Sequence, residues 1–182
     1  MKTALVLACA VLAASPCIAA TAAAPAPVQT NEPQIQNFGD WDVRCFPVKS
    51  ASPCDAYFAT VRKQTGQRVS SVSIAYVPAQ DRYVMQVAAP LGLSIPDGLV
   101  IKAGSFSTGK LQFRRCDQGG CYVETEIDNK LIDSLKKADG SESNIGVVSA
   151  DGKTLALPLS FKGFGDAIAD LVKEARARAN GS

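Results

Sequence analysis

Apolar and polar residues alternate in short runs along most of this chain, and that period of two predicts strands. In the first run Trp41, Val43 and Cys45 fall on one face, with Asp42 and Arg44 on the other. Residues 54–62 carry apolar side chains on both faces, as a strand central to a sheet does. Residues 69–77 alternate again, with Val72, Ile74 and Tyr76 opposite Ser71, Ser73 and Ala75. Further strands are predicted at 83–88, 99–102, 105–108, 111–116, 121–127, 145–149 and 155–161. Glycine, proline, asparagine and aspartate cluster between them, as in Pro78-Ala-Gln-Asp81, Asp117-Gln-Gly-Gly120 and Asp151-Gly152. Pro158 lacks an N–H, so its strand belongs at a sheet edge.

The period lengthens to that of a helix in two places. Asp128 is a suitable N-cap for a short helix with Leu131, Ile132 and Leu135 on one face, closed by Gly140. After Gly163 a second helix puts Ile168, Leu171, Val172 and Ala175 in one stripe. Strand following strand without regular helical crossovers excludes a parallel βαβ sheet. The expected fold is all-β: a β-sandwich-like or half-open barrel domain with one short internal helix and a C-terminal helix.

The first 24 residues are of another kind. Lys2 precedes an apolar run from Ala4 to Ala14, Ser15-Pro16 breaks it, and small residues follow, the order of a cleavable signal peptide. The apolar run is about 11 residues, against roughly 20 for a membrane-spanning helix. The domain plan is therefore a cleaved signal at 1–24, a flexible tail at 25–37 rich in Ala, Pro, Gln and Asn, and one β domain at 38–178. Removing 24 of 182 residues leaves 158, enough for one core. The leader holds one of 19 basic residues and none of 17 acidic ones, leaving 18 against 17, a net +1. Such a balance gives no broad attraction to nucleic acid, and no transmembrane segment is expected in the mature chain.

Export changes how the cysteines read. Cys9 and Cys17 leave with the signal, and Cys45, Cys54, Cys116 and Cys121 enter an oxidising compartment. Four cysteines allow three pairings; Cys45 with Cys54 and Cys116 with Cys121 is favoured, because each pair spans a predicted turn. The gaps of eight and four residues fit neither a Cys-x-x-Cys redox motif nor a Cys₄ zinc site.

The chain has no histidine. Ser-His-Asp, Cys-His and His-ligated metal chemistry are thereby excluded. Carboxylates remain: Asp40, Asp42, Asp117, Glu124, Glu126 and Asp128. Asp117 and Asp128 read as turn and cap residues, and Glu124 and Glu126 as one solvated strand face. No enzyme, no cofactor and no metal site is expected. Loops on a stapled sheet carry contacts more often than the sheet does. The candidate contact residues are Leu91, Ile95 and Asp97 in the Pro/Gly-rich 90–98 loop, and Asp117 and Gln118 in the 117–120 turn.

One constellation runs through nearly the whole mature chain. Phe38-Gly-Asp-Trp-Asp-Val-Arg-Cys45 is followed by Cys54, Leu91-Gly-Leu-Ser-Ile-Pro-Asp-Gly-Leu99, Phe113-Arg-Arg-Cys116, Gly120-Cys121 and Leu157-Pro-Leu-Ser-Phe-Lys-Gly-Phe164. This order resembles the invasion-associated locus B family of exported Gram-negative proteins, from about Phe38 to Val172. The resemblance implies an all-β sandwich-like domain in the cell envelope and carries over no catalytic residues. It implies an exported interaction protein that binds an envelope or host-surface protein and contributes to host-cell adhesion or invasion. The alternative is a periplasmic binding or chaperone-like module for envelope components. The expected location is the periplasm or cell surface of a Gram-negative bacterium.

Overall fold

A computed structural model describes residues 32–180. The signal-peptide expectation lies outside the described residues. The chain runs β1 (Gln34–Phe38), β2 (Trp41–Cys45), β3 (Cys54–Val61), β4 (Arg68–Val77), a 3-10 turn (Pro78–Gln80), β5 (Arg82–Ala89), β6 (Leu99–Ala103), β7 (Phe106–Ser107), β8 (Arg115–Asp117), β9 (Gly120–Ile127), α1 (Asn129–Lys136), β10 (Ser143–Val148), β11 (Thr154–Leu159) and α2 (Phe164–Asn180). The strands form two antiparallel sheets, ordered β1-β2-β3-β4-β5-β9-β8 and β11-β10-β6-β7. Neither closes into a barrel, and the arrangement is consistent with the expected all-β, sandwich-like fold.

Alternation builds the core directly. Trp41 and Val43 of β2, Ala56 of β3, Val72, Ile74 and Tyr76 of β4, and Met85 and Val87 of β5 all turn inward and are buried. Leu99 and Ile101 of β6, Ile145 and Val147 of β10, and Leu157 and Leu159 of β11 supply the second sheet's share. The stripe Phe164, Ile168, Leu171 and Ala175 of α2 completes the same cluster, and α2 packs across β2, β3 and β4. Asp128 caps α1 by accepting from Leu131 N–H at 2.8 Å. Pro158 lies on β11, an edge strand.

Two expectations need correction. The tail expected at 25–37 gives way to a strand at Gln34, pairing from Gln34↔Cys45 to Phe38↔Trp41. Every β1 side chain except Phe38 is exposed, so β1 has no buried stripe to betray it. Its order comes from the ladder with β2 and the tight Gly39-Asp40 turn. The strand expected at 111–116 is also broken. Leu111 makes an isolated bridge to Leu99, while Arg115 pairs with Tyr122 in the other sheet. The segment crosses between sheets, so it cannot stay in one ladder.

Candidate interaction surface

The loop 90–98 and the 117–120 turn leave the same end of the seven-stranded sheet. Ala89, the last residue of β5, is the register partner of Cys121. At Gly120, φ is 137° and a Cβ would sit 2.4 Å from the Ala89 carbonyl oxygen. Only glycine permits that approach at that φ. Both candidate loops therefore start from one point.

The 90–98 loop then crosses to the second sheet and is tied down as it goes. Leu93 bridges to Ser149, Ser94 N–H donates to the Val148 carbonyl at 2.8 Å, and Ala150 N–H donates to that of Gly92 at 2.8 Å. Leu93 is buried, whereas Leu91 and Ile95 on either side are 56% and 42% exposed. The bonds at Gly92, Leu93 and Ser94 fix the backbone from which the two exposed apolar side chains project. Asp97, also exposed, borders a cavity of about 230 Å³ lined by Val100, Gly146, Val148 and Thr154. That is smaller than an ordinary small-molecule site of roughly 300–1,000 Å³.

The hairpin beside it is polar and stapled. Cys116 is joined to its register partner Cys121. Arg115 lies over the Tyr122 ring, its guanidinium 4.0 Å from the centroid. Gly119 N–H donates to Asp117 Oδ1 at 2.7 Å, and Arg68 donates to the Gly119 carbonyl at 2.9 Å. The Gly119 N–H bond, helped by Arg115, holds the Asp117 carboxyl below the usual carboxylate range. Asp117 and Gln118 stay exposed at the tip. The other staple, Cys45–Cys54, is buried in the core. It too joins register partners.

Two of the strings that carried the family resemblance, around Trp41 and around Phe161, converge on a different place. Trp41 is fully buried. Its Nε1–H donates to the Ser160 carbonyl at 2.8 Å, and its ring packs against Phe58, Phe161 and Phe164. Ser160 Oγ donates to Asp40 Oδ2 at 2.6 Å, and Asp40 N–H to the Lys162 carbonyl at 3.0 Å. Gly39 and Gly163 face each other, both at positive φ. A Cβ on Gly163 would fall 2.3 Å from the Phe38 carbonyl oxygen. The Phe-Gly-Asp-Trp and Phe-Lys-Gly-Phe strings are thus two halves of one clasp that joins the β1–β2 turn to the start of α2.

The model of the invasion associated locus B (IalB) protein family matches residues 41–172. The chain belongs to that family. The crystal structure of invasion associated protein B from Bartonella henselae superposes with a TM-score of 0.67 at 18% identity, over 79% of this chain and 99% of that chain. At that identity the likeness is one of fold. A search of curated proteins finds no match.

In this IalB-family chain the strand carboxylates are engaged. Glu124 is paired with Arg115 at 3.4 Å and accepts from Gln86 at 3.0 Å. Glu126 is bonded to Arg82, and Asp42 accepts from Asn37 at 2.5 Å. Among the described residues no three His, Cys, Asp or Glu are grouped as metal ligands. No helix among them is long and apolar enough to cross a membrane.

Sequence reasoning missed the Arg44–Asp55 pair. Asp55 accepts two bonds from one guanidinium, at 3.0 and 2.5 Å, and a third from Ser73 at 2.6 Å. The same Arg44 stacks 3.5 Å from the Tyr57 ring centroid. The residues alternate outward on three adjacent strands, so the signal lay in the register, which sequence periodicity does not supply.

Proposed function

We propose that this chain is an exported, non-enzymatic envelope protein that binds a protein partner through the end of the sheet bearing Leu91, Ile95, Asp97, Asp117 and Gln118. One observation carries the reading: Leu91 and Ile95 are exposed on a loop that is bonded at several points. Exposed apolar side chains on fixed backbone lose little entropy on binding. The adjoining Arg115, Asp117 and Gln118 supply the polar rim that surrounds an apolar centre in protein interfaces. Export is supported by the N-terminal leader and by two disulfides, which persist in oxidising compartments. The family name attaches to host-cell invasion, and contact with a host surface is the finer form of this proposal.

The test is photo-crosslinking from position 91 in living cells, with protease shaving of the same cells. Leu91→Glu and Ile95→Glu should each abolish the crosslinked partner while shifting stability by no more than about 0.5 kcal/mol, as surface changes do. Shaving of intact cells would favour the host-facing role. Protection until the outer membrane is opened would favour the periplasmic binding or chaperone-like module. Capture that survives both charge substitutions would overturn the loop assignment.

A further inference from the structure

The two sheets have four edges, and three of them are blunted. β7 is two residues long. β8 is three residues long, carries Arg115 and Asp117, and is covalently tied to β9. β11 contains Pro158, which has no N–H to offer and whose carbonyl accepts from Thr60 Oγ1 at 3.1 Å. Short strands, charges and proline are the devices by which sheets avoid pairing with other chains.

β1 has none of them. Gln34-Ile-Gln-Asn-Phe38 is uncharged, has no proline and pairs with β2 in unbroken register. Four of its five side chains are exposed, Ile35 by 53%. No described residue pairs with its outer edge. The backbone pattern says which groups that edge presents. Phe46 N–H donates to the Pro53 carbonyl, so Cys45–Cys54 is a pair without ladder bonds, and Cys45 bonds instead to Gln34 across β1–β2. Alternation then leaves the N–H and C=O of Ile35 and Asn37 directed outward.

We infer that β1 is a homotypic docking edge, on which a second copy of this chain adds its own β1 antiparallel, so that the two seven-stranded sheets run through a two-fold axis. Charge and hydrogen-bonding capacity select a copy of itself as the occupant. β1 itself carries no charge to pair with a charged strand, whereas Gln36 carries both donors and acceptors; Gln34 Oε1 accepts from Arg178 at 2.7 Å and Asn37 Nδ2 donates to Asp42 at 2.5 Å, so these two would meet a copy through Gln34 Nε2 and Asn37 Oδ1. Nearby charges are already answered, Asp42 by Asn37, Arg44 by Asp55, and Arg178, which reaches Gln34, by Glu174. A strand laid antiparallel on itself is the isologous arrangement of two-fold dimers.

The experiment is light scattering on the purified exported protein across a concentration series, with hydrogen exchange read at Ile35 and Asn37. The expected result is a mass that doubles with concentration, and exchange at those two amides that slows at least about tenfold as it does. Ile35→Lys and Ile35→Pro should return the protein to one copy with an unchanged melting curve. A single-copy mass throughout, with both amides exchanging freely, overturns the inference, and that measurement needs no variant. A dimer that persists in both variants also overturns it. So does protection that appears only when another envelope protein is added, because the occupant is then foreign. Loss of the loop contacts at Leu91 would leave this result untouched, so the two proposals fail separately.

Discussion

Trp41 shows how one side chain ties the ends of the chain together. It closes a cluster with Phe161 and Phe164 and donates to the Ser160 carbonyl, 119 residues away. Trp41→Ala should cost about 3–5 kcal/mol, the range for removing a buried aromatic ring. Denaturant unfolding measures it. Tyr76 is the polar counterpart. Its hydroxyl donates to Asp81 at 2.5 Å and accepts from Arg176 at 2.8 Å, tying α2 to the turn after β4. Burial, first, and the bond to Asp81 push its pKa up; burial does the same for Tyr83. The folded state therefore holds these protons more tightly than the unfolded chain. Their contribution is fully present below pH of about 10 and is lost as pH rises through the folded values. Stability should fall above pH 10, and less steeply in Tyr76→Phe, which itself costs about 1–2 kcal/mol for the two lost hydrogen bonds. Melting temperatures between pH 8 and 11.5 test both. A Tyr76→Phe curve parallel to that of the parent would refute the role given to this hydroxyl.

At the level of elements, the two disulfides do different work. Each joins register partners and closes a short loop, so the chain-entropy model assigns about 2–3 kcal/mol to either one. Cys45 and Cys54 are 4% and 2% exposed, and replacing them also leaves a buried polar pair or a void. Cys116 is exposed at a sheet edge. Removing Cys45–Cys54 should therefore destabilise the whole domain more than removing Cys116–Cys121. The second loss should chiefly loosen the 117–120 hairpin. Hydrogen exchange on the two double-serine variants distinguishes global from local opening. The strands themselves were legible in sequence wherever one face is buried, as in β2, β4 and β10. β1 was not, because a strand exposed on both faces leaves no period of two. The same limit hid the split between Leu111 and Arg115, where adjacent residues serve different sheets.

Over the whole molecule, strings that carried the resemblance in sequence turn out to be closures. The β1–β2 turn meets the start of α2, and the 90–98 loop seals against Leu111 and Val148. At Gly98 a Cβ would lie 2.3 Å from the Leu111 carbonyl oxygen. Gly163→Ala should cost about 1–3 kcal/mol through backbone strain alone. It should expose the Trp41 cluster to quenchers of tryptophan fluorescence. An unchanged melt and unchanged quenching would show that the clasp is dispensable. The apolar residues proposed for binding, Leu91 and Ile95, lie exposed on the loop that makes one of those closures.

The sequence by itself determined the class of the fold, because burial on one face of a strand writes a period of two into the chain and burial on one stripe of a helix writes a longer one. It also determined that imidazole chemistry is absent, and it marked the four cysteines that pair. Tertiary structure decided what no local pattern encodes: which strands are neighbours, and hence that Arg44, Asp55, Ser73 and Tyr57 form one network. It decided that Trp41 meets Ser160, that the loops at 90 and 117 start from one point at Ala89, and that β1 lies at the edge of its sheet among the described residues. Those relations depend on register and strand order. They are set by the packing of residues far apart in sequence, which alternation along a single strand cannot report.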